Sequence, residues 1–484
     1  MYKNNKAIIA KADDFIELNL KMLNRHGIIT GATGTGKTIT LKVIAETLSN
    51  AGIPTILTDV KGDLSGCAIK GEINESLNKR LNKLGIEEFE FKTFPVRFWD
   101  VFGKIGHPIR VTISDMGPAL LSRILNLSEA GEGILNIAFK IADDEKLELI
   151  DFKDLKSMLM YISEHSNELQ NKYGNIAKTS INTILRKLLA IENDNGEMFF
   201  GEPNLDINDL LKVGEETNRG YINIIEAKEL IKNPTLYATF LVWLLSSFYE
   251  NLKEVGDLDK PKAVLFLDEA HLIFDEMNNE IIKKITQIIK LIRSKGIGVF
   301  FISQLPNDIP DEILNQLGNR IQHCLRAYTP KEIKAVKIAS ESFRENPNFK
   351  TEEAILELST GEALISLIDE EGKPSIVQKA MILPPQSMMG EIKEEKMQEI
   401  IANGIMESKY RNLIDTRSAY EKINELNNQK QEETKKETPK VKQSKKQENE
   451  ITKGLKKMTN SALTSIGRQL GNAIMRGILG TKKK

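Results

Sequence analysis

The stretch from Gly27 to Asp63, GIITGATGTGKTITLKVIAETLSNAGIPTILTDVKGD, constrains what the whole chain can fold into. A short apolar strand (Ile28, Ile29, Thr30) runs into a glycine-rich loop ending in Gly36-Lys37-Thr38. A helix follows, carrying Ile39, Leu41, Val43, Ile44 and Leu48, and then a second strand, Thr55 to Thr58. The loop matches G-x-x-x-x-G-K-[ST] in the strand–loop–helix setting that gives this motif its meaning. Glycines let backbone N–H groups close around phosphate oxygens, and the helix turns its positive end toward the anion. The residues expected to cradle phosphate are Gly31, Ala32, Thr33, Gly34, Thr35, Gly36, Lys37, Thr38 and Ile39. Lys37 reaches terminal phosphates in such loops, and the Thr38 hydroxyl is placed to ligate Mg²⁺. A glycine-rich turn with a surface lysine is the plainer alternative.

A second constellation decides between binding and hydrolysis. Ala263 to Leu267 is an apolar run that ends in Asp268-Glu269. Such a run reads as a buried parallel strand with carboxylates emerging at its carboxyl end, the Walker B pattern. Asp268 is expected to hold Mg²⁺ through water, and Glu269 to polarise the attacking water. An Asp-Glu pair can also simply cap the next helix. Ile297 to Ile302 forms the next strand and finishes at Ser303-Gln304, which makes Gln304 the candidate for sensing a γ-phosphate or positioning the water, a simple strand-end amide being the plainer alternative. Arg293 and Arg320 are both candidates for a phosphate contact made from a neighbouring subunit, because guanidinium is permanently charged and suited to bidentate contact. Either arginine can equally serve a surface ion pair. The loop Asp59-Val60-Lys61-Gly62-Asp63 lies at another strand's carboxyl end, where ligands gather in parallel sheets. Asp59 or Asp63 is there either to assist the nucleotide or only to turn the chain.

Composition narrows the remaining classes. Two cysteines, Cys67 and Cys324, point to a reducing compartment rather than a disulfide framework, and the five histidines lack metal-ligand spacing. The N-terminus has no hydrophobic signal core. The most apolar stretch, Leu236 to Tyr249, is shorter than the ~20 residues needed to span a bilayer and reads as a buried helix opened by Asn233-Pro234. A cytoplasmic protein is expected. The net charge of −1 hides eight Lys or Arg and no acid in residues 453–484, which leaves −9 on the rest of the chain. Nucleic-acid contact would therefore be local, or confined to the inner surface of an assembly.

Along the chain, residues 1–26 read as a lead-in with one strand (Ala7 to Ala10), and residues 27–385 as an α/β ATPase core with a mostly parallel sheet. Within it, about 114–194 is a helical insertion with three apolar faces, its middle helix capped by Asp151. A hairpin follows at about Glu362 to Leu383, and Pro384-Pro385 closes the core. Residues 386–426 read as a C-terminal helix and 427–452 as a disordered linker. Residues 453–484 read as a basic amphipathic tail suited to docking on a subunit, lying on an anionic membrane surface or gripping DNA.

The ordered set RHGIITGATGTGKTITL, DVKGDLSG, FLDEAHLIF, a strand ending in Gln304, GNRIQH and the tail SIGRQLGNAIMRGILG resembles the HerA/FtsK class of P-loop ATPases, most nearly its YjgR-like branch. The resemblance implies a RecA-like sheet, ATP and Mg²⁺ as cofactors, and a ring, often a hexamer, with sites shared between subunits. It carries the family roles onto Lys37, Thr38, Asp268, Glu269 and Gln304. Relatives in this class translocate DNA, so a DNA translocase or helicase-like motor is the leading expectation. HerA itself carries an N-terminal β-barrel, for which the 26 residues ahead of the first strand are too few. A nucleotide-driven remodeller that engages a protein partner through the tail is the second expectation. A P-loop kinase is disfavoured, because no acceptor-binding motif is visible and Glu269 is placed for water.

Overall fold

A computed structural model of the chain describes residues 1–193, 196–256, 258–274 and 279–425, together with 428. The linker and tail expected over 427–452 and 453–484 therefore lie outside the described residues, residue 428 apart. The chain forms two compact units. One comprises Met1–Pro108 and Leu205–Arg411, the other Ile109–Asn204 and the segment from Asn412 onward.

The first unit is built on one sheet with thirteen strands among the described residues: β1 (Tyr2–Lys3), β2 (Lys6–Lys11), β3 (Phe15–Leu18), β4 (Gly27–Thr30), β5 (Thr55–Asp59), β6 (Val96–Asp100), β7 (His107–Pro108), β8 (Ile222–Glu226), β9 (Ala263–Leu267), β10 (Ile297–Ser303), β11 (Asn319–Gln322), β12 (Glu362–Ser366) and β13 (Gln378–Ile382). Eight of them, in the order β11-β4-β10-β9-β5-β8-β6-β7, are parallel throughout. Strands β4, β5, β8, β9 and β10 are buried at every position, as expected where both faces of a parallel sheet are covered. One flank helix is α1 (Lys37–Asn50), buried from Thr40 to Ser49. Another, Pro234–Asn251, is buried from Leu236 to Phe248. Its Asn233 side chain accepts from the Leu236 amide at 3.1 Å, with Pro234 at the first turn. No helix among the described residues is long and apolar enough to cross a membrane.

Three boundaries differ from the sequence reading. Residues 1–26 are not a lead-in with one strand. They carry β1 to β3, and β2 pairs antiparallel with β13, so they complete the sheet's edge. The alternation in β2 is weak, and its partner β13 lies some 370 residues away in sequence, which local pattern cannot reveal. The core does not close at Pro384-Pro385. The Gln386 and Ser387 amides donate to the Glu46 carboxylate at 2.6 and 3.1 Å, and the Lys42 ammonium donates to the Met388 carbonyl. Buried charges on α1 are thus matched by the chain beyond the prolines. Finally, 386–426 is not one helix: it holds short helices at Glu394–Ala402 and Ile405–Tyr410.

The second unit is helical: α3 (Ile113–Ile124), α4 (Glu129–Asp144), α5 (Phe152–Glu164), α6 (Ser166–Tyr173) and α7 (Lys178–Asn193), the label α2 being given to Glu75–Leu84 of the first unit. Asp151 caps α5 in a reciprocal box, accepting from the Asp154 amide at 3.1 Å while Asp154 accepts from the Asp151 amide at 3.3 Å. The apolar faces read from the sequence supply its core, including Leu155, Met158, Leu159, Ile162, Ile181, Ile184 and Leu188.

Candidate active site

The site forms where β4, β9, β10 and β5 end together at the carboxyl edge of the parallel sheet. After Thr30 the chain turns through Gly31, Gly34 and Gly36, all with positive φ (151°, 79° and 114°). Two of these glycines are required by neighbours. A Cβ on Gly31 would come within 2.5 Å of the His323 Cβ, and one on Gly36 within 3.2 Å of the Gly361 Cα. The loop is anchored on both sides. The Gly31 amide donates to the Gln304 carbonyl at 3.3 Å and the Ala32 amide to the Cys324 carbonyl at 2.8 Å. The Thr35 carbonyl accepts from the Gly361 amide at 2.9 Å.

His323 is a site residue that the sequence reading quoted inside GNRIQH without a role. It is fully buried behind the loop, 2.9 Å from the Thr40 hydroxyl through Nε2 and 2.9 Å from the Glu362 carbonyl through Nδ1. A carbonyl only accepts, so Nδ1 carries the proton and Nε2 accepts from Thr40. Burial pulls its pKa down to about 4, so the ring stays neutral and ties α1 to β12.

Lys37 donates to the Gly31 carbonyl and, at 3.2 Å, to the Ala32 carbonyl. Burial first, then the charge of Lys61, hold this ammonium below the usual amine range, while Asp268 and Glu269 oppose them. Thr38 follows on the first turn of α1. Across the edge, the Asp268 carboxyl is pushed up to about 7, by burial and then by the charge of Glu269; the Glu269 amide, Lys61 and Lys37 pull the other way. Its backbone is held from both neighbours. The Asp268 amide donates to the Thr58 hydroxyl at 2.8 Å, and the Tyr237 hydroxyl donates to the Asp268 carbonyl at 2.7 Å. Tyr237 was read only as part of an apolar helix; its single polar atom carries this function.

Glu269 adopts φ +46°, a left-handed conformation in a residue that is not glycine. Such a backbone costs about 1–3 kcal/mol and persists where its surroundings fix it. Here the Glu269 amide donates to Asp268 Oδ1 at 2.9 Å and the next amide, of Ala270, to the Ile302 carbonyl at 2.9 Å. The turn aims the carboxylate off the strand's end, 3.5 Å from His271 Nδ1. Gln304 lies exposed at the end of β10.

The two arginines lie elsewhere. Arg320 is in register with Ile28, toward the amino end of the strands, and its guanidinium donates to the Leu317 and Leu314 carbonyls at 3.2 Å each. Arg293 opens the short turn Arg293–Lys295 between the helix Asn279–Ile292 and the amino end of β10. Neither stands at its own chain's glycine loop. The strand that carries Arg320 is only Asn319–Gln322. The Asp59 carboxylate is taken up by the Lys61, Gly62 and Leu64 amides, so it organises its loop.

Glycine loop, basic residue at the helix start and carboxylate pair at a neighbouring strand end define a P-loop NTPase with a RecA-like sheet. A backbone cradle with Lys37, Thr38 and Asp268 is a donor set suited to ATP with Mg²⁺. The chain matches the family described as Helicase HerA-like C-terminal over residues 4–484, and it belongs to that family, in the HerA/FtsK class of P-loop ATPases. It is 23% identical over 396 residues to the DNA double-strand break repair helicase HerA of Saccharolobus solfataricus, covering 80% of this chain and 72% of that one. Against the protein of the same name from Sulfurisphaera tokodaii it is 24% identical over 371 residues, covering 73% and 64%. The chain thus spans about two thirds of these relatives' length. Among solved structures it is similar to the conjugative coupling protein TrwBdeltaN70, with TM-score 0.47, 12% identity and coverage of 78% and 89%. The figures for VirB4 of Thermoanaerobacter pseudethanolicus are TM-score 0.47, 14% identity and coverage of 82% and 99%.

Proposed function

We propose that this chain hydrolyses ATP with Mg²⁺ as a ring-forming motor that acts on DNA. The observation that carries hydrolysis is Glu269, an acid beside Asp268, held in a left-handed backbone so that it leaves the strand's end. In this reading the Gly31 to Ile39 backbone binds the phosphates and Lys37 leaves the Gly31 and Ala32 carbonyls for the terminal phosphates. Thr38 and Asp268 hold Mg²⁺, which supplies charge neutralisation at the phosphates. Glu269 orients and polarises the attacking water, and Gln304 reads the γ-phosphate from β10.

A cation from a neighbouring subunit completes the site. Arg293 and Arg320 are the two candidates, and Arg320 would first have to leave the Leu317 and Leu314 carbonyls. DNA as substrate is supported by the family and by relatives whose name is DNA double-strand break repair helicase. The test is an ATPase assay with and without duplex and single-stranded DNA, on material whose mass is set by light scattering. ATP turnover stimulated by DNA in a ring-sized species is expected. Turnover that DNA neither stimulates nor binds at low salt would remove DNA and leave a protein-directed remodeller.

A further inference from the structure

We propose that Lys61 is a second phosphate-binding cation of this site, placed to contact the γ-phosphate of ATP from the β5 side. This rests on the ATPase reading above and deepens it.

Strands β5 and β9 are adjacent and parallel, with Leu57 opposite Phe266, so Asp59 and Asp268 each lie two residues past that pair. Lys61 is two residues further along the β5 side and so emerges beside the Asp268–Glu269 pair. Its backbone is fixed rather than loose. The Asp59 carboxylate, 3% exposed, accepts from the Lys61 amide at 3.1 Å, the Gly62 amide at 2.6 Å and the Leu64 amide at 3.0 Å. Gly62 takes φ +89°, and the Ser65 hydroxyl donates to its carbonyl at 2.8 Å. A buried carboxylate saturated by three amides holds the loop while leaving the Lys61 side chain exposed.

That side chain forms no ion pair within 4 Å among the described residues, whereas nearby Lys228 is paired with Glu391. Two ammonium groups converge on one edge from opposite sides of β9 and β10. Like charges brought together repel, and an anion between them reverses the sign of that interaction. Of the phosphates, the terminal one is next to Glu269, so the contact from Lys61 discriminates ATP from ADP.

The experiment measures binding of a fluorescent ADP and of a non-hydrolysable ATP analogue to the full chain, with Lys61→Ala and Lys61→Arg beside wild type. A charge-assisted contact of this kind makes Lys61→Ala weaken analogue binding by about tenfold or more. ADP binding should change less than twofold, which also reports that the variant is folded, and Lys61→Arg should restore most of the analogue affinity. Equal weakening of both nucleotides would assign Lys61 to loop structure alone, and no weakening would remove it from the site; either overturns the proposal. Failure of wild type to bind either nucleotide would instead overturn the ATPase reading on which it stands.

Discussion

At the scale of single residues, the buried polar side chains His323 and Tyr237 are held by partners that fix their roles. Lys37 and Glu269 separate binding from chemistry. Lys37→Ala removes the ammonium bonded to the loop's own Gly31 and Ala32 carbonyls and should lose ATP binding, read by equilibrium titration. Glu269→Gln keeps size and hydrogen bonding but not the charge that polarises water. It should bind ATP at near wild-type affinity while kcat falls by about 10²–10⁴-fold. Normal turnover in both would show that the chemistry lies elsewhere. A third residue gives a pH signature in stability rather than activity. Burial raises the Glu226 carboxyl at the end of β8 from 4.5 to about 7; the Lys228 amide opposes this, and the Asp100 charge adds to it. Its folded pKa lies above its unfolded one, so its contribution to stability is complete below pH 4.5 and lost as pH rises through 7. Glu226→Gln, which still accepts from the Lys228 amide, should therefore melt above wild type at pH 8, by about 1–2 kcal/mol. The advantage should vanish by pH 4.5 in a thermal melt series; a shift independent of pH would exclude the titration.

Between elements, the site depends on contacts that cross the sheet. Gly361, at φ +79°, brings its Cα within 3.2 Å of where a Gly36 Cβ would sit, and its own Cβ would meet Arg80 Nη2 at 2.6 Å. Gly361→Ala is expected to cost about 1–2 kcal/mol from the backbone conformation alone. It should also weaken ATP binding severalfold, because Thr35 leans on the Gly361 amide; unchanged affinity would mean that the loop does not need this wall. Tyr237→Phe removes one buried hydroxyl from the Asp268 carbonyl and should cost about 1 kcal/mol of stability. Its kcat should fall while nucleotide affinity holds, since only the acidic turn loses support; a loss of affinity without a change in kcat would contradict this. These contacts also mark the limit of sequence reading. The glycine loop, β9 and β10 are written in contiguous residues, where turn chemistry and apolar runs suffice. His323 against Gly31, Gly361 against Gly36, and β2 against β13 join residues hundreds of positions apart. No local periodicity encodes such pairings. Tyr237 was hidden differently, as one hydroxyl inside an apolar helix.

For the whole molecule, the decisive matter is that an isolated chain brings no arginine to its own glycine loop from Arg293 or Arg320. Both lie toward the amino edge of the parallel sheet, Arg293 ahead of β10 and Arg320 on β11, while Lys37 and Asp268 stand at its carboxyl edge. If Arg293 serves the neighbour's nucleotide, the ring has heterologous interfaces in which each subunit lends a cation to the next. Arg293→Ala should then assemble and bind ATP but turn it over slowly, whereas a ring made only of Lys37→Ala chains should be inactive because its loops do not bind ATP. Mixing the two tests the geometry. A site whose glycine loop comes from an Arg293→Ala chain regains its arginine from an adjacent Lys37→Ala chain. In randomly mixed rings at equal concentration, about one site in four is complete in this way. ATPase activity should therefore recover on mixing two nearly inactive proteins, to a fraction of wild type, after subunits have exchanged. The same mixture with Glu269→Gln added to the Arg293→Ala chain should stay inactive, because every loop that keeps Lys37 then lacks its own acid. Recovery absent from the first mixture, with exchange verified by light scattering and labelled subunits, would place the completing cation on the same chain as the loop it serves.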